Sequence, residues 1–95
     1  RRRARSRRAA REERQLQYMD ADFVRLGDGI RELELDVTLT GDAAAKADYQ
    51  RGLDAYDRAN ELARDGERAA ADAAVDDGLR ALGAARDRLA GRRTR

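Results

Sequence analysis

The chain has 95 residues, which is one domain or less. It contains no Cys, His or Pro, which excludes a disulfide framework, thiolate nucleophiles, imidazole bases and the usual zinc ligand sets. Its 21 basic and 19 acidic residues nearly cancel to +2, so charge-driven disorder is disfavoured even though Leu, Ile, Val and Phe are sparse.

The charge is unevenly placed. Residues 1–14 carry eight arginines against two glutamates, while residues 15–95 carry 13 basic and 17 acidic residues. The chain is therefore a basic arm on a mildly acidic body. Arg1, Arg2, Arg3, Arg5, Arg7 and Arg8 repel one another, so residues 1–8 read as a flexible arm until a partner neutralises them. No apolar stretch follows as a secretory signal requires, and no apolar run approaches the ~20 residues of a membrane helix.

A single helical domain is expected over 9–91, an all-α antiparallel three-helix bundle. The first helix, placed at about 9–39, carries the stripe Leu16, Met19, Phe23, Leu26, Ile30, Leu33 and Val37. Its gaps alternate between three and four residues, the pattern of a helix burying one face. Gly27 and Gly29 interrupt it, each at ~1 kcal/mol against alanine. From Leu33 to Thr40 the sequence also alternates apolar and polar with β-branched residues, which is a strand signature. A lone strand has no partner to pair with, so the helix is preferred. In a helix, Leu35 and Leu39 fall off the main stripe and form a second apolar face that could meet a second neighbour.

Thr40-Gly41-Asp42 marks the first break, with Gly41 expected at positive φ and Asp42 as an N-cap. The second helix runs from about 43 to 64 with the stripe Ala45, Tyr49, Leu53, Tyr56, Asn60 and Ala63. Asn60 there is either a register device or a shallowly buried position, and the second reading is preferred. Gly66 marks the second break. The third helix runs from about 67 to 90 with the stripe Ala71, Val75, Gly78, Leu82, Ala85 and Leu89, and Leu79 beside it. Gly91 is expected to end it, leaving 92–95 as a basic tail. Short connections make neighbouring helices antiparallel. An up-down-up bundle is the simplest solution, with alanine faces letting the second and third helices approach the first. The alternative is self-association as a coiled coil through the first helix.

Catalysis finds little footing, and no cofactor, metal or small-molecule substrate is indicated. The acidic pairs Asp72 with Asp76 and Asp54 with Asp57 could in principle attract a hard cation. They read more simply as solvated helix surface balanced by Arg58, Arg68 and Arg80. Gly27-Asp28-Gly29 lacks the lysine and strand context of a phosphate loop. Tyr49 and Tyr56, two turns apart, read as core residues with hydroxyls at the rim rather than as a stacking surface. The arm has three readings, the plainest of which is a solvating tail. It fits phosphate contacts with nucleic acid, although it lacks interleaved aromatics and a basic body. It fits equally the polybasic stretch expected on the cytoplasmic side of a transmembrane helix, here one preceding residue 1.

The arginine-rich start is followed by Phe23-Val24-Arg25-Leu26-Gly27-Asp28-Gly29-Ile30 and Leu33-Glu34-Leu35-Asp36-Val37. After the Gly41 break come residues 49–59, from Tyr49 to Ala59, then Asp77-Gly78-Leu79-Arg80-Ala81-Leu82 and Arg88-Leu89-Ala90-Gly91. This combination resembles the helical segment of a family of uncharacterised actinobacterial membrane proteins. In that family a short membrane anchor and a basic stretch precede a helical coil, and a cysteine-containing region follows. The resemblance implies a non-enzymatic, membrane-proximal, cytoplasmic helical module, and it transfers no catalytic residue. The expected function is a helical scaffold or protein-interaction module. Its expected partners are a protein, a second copy through the first helix, or an anionic membrane surface through the arm. A nucleic-acid-associated protein is the alternative.

Overall fold

The structure is a computed structural model and describes residues 20–93. The arginines of the arm, Leu16, Met19, and Thr94 with Arg95 lie outside the described residues. Within them the chain forms three helices and no strand: α1 (Ala21–Leu39), α2 (Ala43–Arg64) and α3 (Arg68–Arg93). The all-α three-helix architecture is therefore the observed one.

The helix ends differ from expectation in three respects, although α1 stops at Leu39 and α2 spans Ala43–Arg64 as expected. α1 begins at Ala21, not at residue 9, because Asp20 is extended (φ −67°, ψ 150°) and caps it. Its Oδ1 accepts hydrogen bonds from the backbone N–H of Asp22 at 2.9 Å and Phe23 at 3.1 Å, satisfying two otherwise orphaned donors. Gly41 does not adopt positive φ; Gly66, at φ 78°, is the residue that does. α1 instead ends through an extended Thr40, whose hydroxyl oxygen accepts from the Asp42 N–H at 3.2 Å. Asp42 in turn caps α2 through the N–H groups of Ala44 and Ala45. Finally, Gly91 does not end α3, which continues through it to Arg93. Glycine weakens a helix interior by only ~1 kcal/mol, and Gly91 has neither the positive φ nor the following turn of a C-cap.

Gly66 has both. The Glu67 N–H donates to the Leu62 carbonyl at 2.9 Å and the Gly66 N–H to the Ala63 carbonyl at 3.1 Å. This is the Schellman pattern, in which the last carbonyls of α2 are satisfied by a left-handed residue after the helix.

Residues 33–39 are helical. Leu33 and Val37, four apart, are buried, whereas Leu35 and Leu39 are 66% and 74% exposed. The strand-like alternation therefore splits between two faces of a helix. Thr38, β-branched in a helix, donates its hydroxyl to the Glu34 carbonyl one turn back at 2.7 Å. The second neighbour expected for Leu35 and Leu39 is not found among the described residues.

Contacts between helices define the topology. Ile30 and Phe23 of α1 meet Tyr49 and Tyr56 of α2 respectively, so these helices are antiparallel. Gly52 of α2 faces Leu82 of α3, and Asp48 reaches Arg88, so this pair is antiparallel too. α1 and α3 run the same way, with Leu26 over Gly78 and Gly29 by Leu82. The most extensive packing is between α2 and α3, and α1 lies against both.

The core is small side chains locked by a few large ones. Phe23, Leu26, Leu33, Val37, Val75, Leu82 and Leu89 are buried together with Ala45, Ala59, Ala63, Ala71, Ala74 and Ala85. Leu26 and Leu82 are fully buried, and each occupies space that a glycine leaves open. A Cβ added at Gly78 would lie 2.8 Å from Leu26 Cδ2 and 3.0 Å from Ala55 Cβ. One added at Gly52 would lie 2.7 Å from Leu82 Cδ2.

The buried face of α2 is turned slightly from the expected one. Ala45, Asp48, Gly52, Ala59 and Ala63 are buried, whereas Tyr49, Leu53, Tyr56 and Asn60 are half-buried beside them. The small residues face α3, because that close contact admits nothing larger. The two tyrosines flank it and cover α1.

Two glycines of α3, five positions apart, respond oppositely to alanine. Gly83→Ala raises stability by up to ~1 kcal/mol through helix propensity, since nothing lies within 4 Å of its added methyl group. Gly78→Ala lowers it by ~1–3 kcal/mol, because the Cβ of Ala55 cannot rotate away. Paired urea melts check the signs. Stabilisation by Gly78→Ala would remove the close α2–α3 contact.

Candidate functional site

The described residues gather no group of three or more carboxylates able to hold a metal ion. The acidic pairs named above lie on helix surfaces. Arg68 Nε stands 3.9 Å from Asp72, Asp54 accepts from Gln50 Nε2 at 2.9 Å, and Arg80 pairs with the neighbouring Asp77. No described helix is long and apolar enough to cross a membrane.

Both tyrosines work inside the bundle. Tyr56 stacks on Phe23 with ring centroids 4.6 Å apart and planes 15° from parallel. An added Cβ at Gly27 would meet its ring edge at 3.2 Å, so the glycine makes room for the stack. The Tyr49 hydroxyl donates to the Ile30 carbonyl at 3.2 Å, tying α2 to α1. Burial, and secondarily the charge of Glu34, pushes the Tyr49 phenol above its usual range.

The residue that sequence reasoning missed is Asp48. It is 1% exposed, the buried charged residue of the core. Arg88 Nε of α3 donates to its Oδ2 at 2.8 Å, and Arg51, one turn on, pairs with its Oδ1. Both arginines keep about half or more of their side chains in solvent. The carboxylate is thus held at the inner edge of the α2–α3 contact by two cations that stay wet. A signal existed in the row Ala45, Asp48, Gly52, Ala59 and Ala63, which repeats at helical spacing. A charge in such a row reads as a break in the apolar face rather than as a member of it. Its main partner is 40 residues away.

Among the described residues, two surfaces stand out as open. One is the pair Leu35 and Leu39 at the end of α1. The other is an open groove of about 700 Å³ between α2 and α3, lined by residues of these two helices and none from α1. Its lining includes Ala55, Ala74 and Ala81, with Asp54, Arg58, Asp77 and Arg80 among the charged members.

The Asp48 cluster predicts an asymmetry. Arg88→Ala costs ~1–3 kcal/mol, because a buried carboxylate loses a charged donor. Asp48→Ala/Arg88→Ala costs less than Arg88→Ala alone, since no buried charge is left. A double-mutant cycle in urea decides it; additive losses would mean that the pair is not coupled. Tyr49 predicts an alkaline limb. Its neutral form is favoured in the folded state, so its contribution is intact below the unfolded pKa of about 10 and is lost as pH rises beyond it. Tyr49→Phe flattens the fall in melting temperature above that pH.

Comparison with protein-family models, with curated proteins and with solved structures found no match.

Proposed function

We propose that this chain is a non-enzymatic helical scaffold or protein-interaction module, held beside an anionic membrane surface on the cytoplasmic side by its arginine-rich arm. The observation that carries this reading is the separation of charge. Eight arginines against two glutamates occupy residues 1–14, and the remainder of the chain is net acidic. An acidic body gives a nucleic acid or an anionic membrane no second point of attachment, so the contact falls to the arm alone. The side-chain chemistry of the described bundle goes into packing, capping and surface pairing. The resemblance to actinobacterial membrane-anchored proteins points the same way, placing a basic stretch between a membrane anchor and a helical coil.

Flotation of the 95-residue chain with phosphatidylserine-containing vesicles tests it. Each arginine near an anionic leaflet contributes ~1 kcal/mol, so binding at low salt should vanish when residues 1–8 are removed and fall with added salt. Neutral vesicles should not bind. Equal binding without residues 1–8 would overturn the reading. Salt-steep binding to DNA in a filter assay, with no preference for anionic vesicles, would reassign the arm to nucleic acid.

A further inference from the structure

We propose that the groove between α2 and α3 is the surface on which a second copy of this chain docks. The two copies would be related by a two-fold axis that crosses the groove at the level of Ala55 and Gly78, perpendicular to the helices. This names a partner for the interaction-module reading and rests on it, but not on the arm or on what the arm binds.

Charge complementarity within the groove supports a second copy. Ala55 and Gly78 share a level, since a Cβ on the glycine would lie 3.0 Å from that of Ala55. Asp54 and Arg58 of α2 stand on either side of this level, as do Asp77 and Arg80 of α3, and all four line the groove. The axis lays α2 on the partner's α2 running the opposite way. That brings Asp54 over the partner's Arg58 and Arg58 over the partner's Asp54. The same operation sets Asp77 and Arg80 over the partner's Arg80 and Asp77, forming an alternating cluster of four charges. The centres of the two charge patterns differ by about 2 Å along the axis at the rise of an α-helix, a mismatch that arginine side chains absorb. Ala73 falls opposite the partner's Ala84, so the backbones can approach without steric conflict. A C2 contact needs a surface complementary to itself, and this face has that property. Arg58 pairs with no carboxylate of its own copy among the described residues, which leaves it available across the axis.

Sedimentation equilibrium on the full chain tests the proposal, with circular dichroism confirming that each variant stays helical. The chain should show a monomer–dimer equilibrium that weakens with salt. Arg58→Glu turns two attractive contacts into repulsive ones and should weaken dimerisation about tenfold. Asp54→Arg/Arg58→Glu restores complementarity and should recover it. The chain has no cysteine, so Ala55→Cys, close to the axis, should give a disulfide-linked dimer on mild oxidation. A chain that stays monomeric to millimolar concentration overturns the proposal. So does a dimer unaffected by Arg58→Glu, which would place association elsewhere, as at Leu35 and Leu39. Vesicle binding that survives a monomeric result would leave the arm's function standing while removing this surface.

Discussion

The bundle depends on how closely α2 and α3 approach each other. Gly52 and Gly78 face across this contact; a Cβ on Gly52 would lie 3.8 Å from the Gly78 carbonyl oxygen. With no Cβ at these points, the alanines on either side can meet, and Leu26 and Leu82 can drop into the vacated space. Dispersion is short-ranged, so a pair of helices poor in large side chains gains contact only by coming near. The two leucines then do work that a thicker core would spread over many residues. Leu82 touches positions on both other helices, beside Gly52 and Gly29, and Leu26 bridges from α1 to Gly78.

The position of Asp48 follows from the same closeness. An ionised carboxylate buried without partners is prohibitive, and here it lies at the margin of the contact, where two arginine stems can reach in from solvent. Arg88 and Arg51 neutralise it without being buried themselves, which avoids desolvating both members of an ion pair. Leu82 seated over Gly52 already disfavours a slide of α2 along α3 by one turn, and the ion pair adds to it. A carboxylate in a fixed place, with one cation on the opposite helix, penalises each slipped register. Asp48 thus contributes to which alignment of α2 and α3 is adopted, more than to how strongly they adhere.

Much of the architecture was legible because local rules act over a few residues. The α2 limits, the Asp42 cap and the buried row of α3 from Ala71 to Leu89 all follow from propensity, capping and period. Misreadings arose where two rules competed or where the deciding contact was distant. Gly27 and Gly29 look like defects from propensity, yet each, like Gly52 and Gly78, seats a side chain from another helix. Gly41 and Gly91 look like stops, yet an extended Thr40 and a continuing helix leave them neither role. Asp20 lies inside the heptad pattern, and a capping aspartate won over periodicity because its side chain bonds directly to the backbone. The rotation of the α2 face was illegible because size, not hydrophobicity, selects the residues facing α3. The small row wins the contact, and the tyrosines are turned toward α1.

A close pair of helices has two grooves, one on each side of the plane containing their axes. α1 fills one of them with Phe23, Leu26, Leu33 and Val37. The other has alanine along its seam, with Leu62 and charged side chains at its edges. The alanines and glycines that permit the close approach are too short to fold back over the seam, and Leu62 and the arginines at its edges leave it open. A three-helix bundle built on such a pair therefore keeps one open groove as a consequence of its packing. Large apolar residues there would invite indiscriminate association. Alanine with alternating Asp and Arg makes a surface that tolerates water yet discriminates by charge register. That combination would suit the docking of a second helix in one orientation, and it arises from the same shortage of large side chains that makes the core thin.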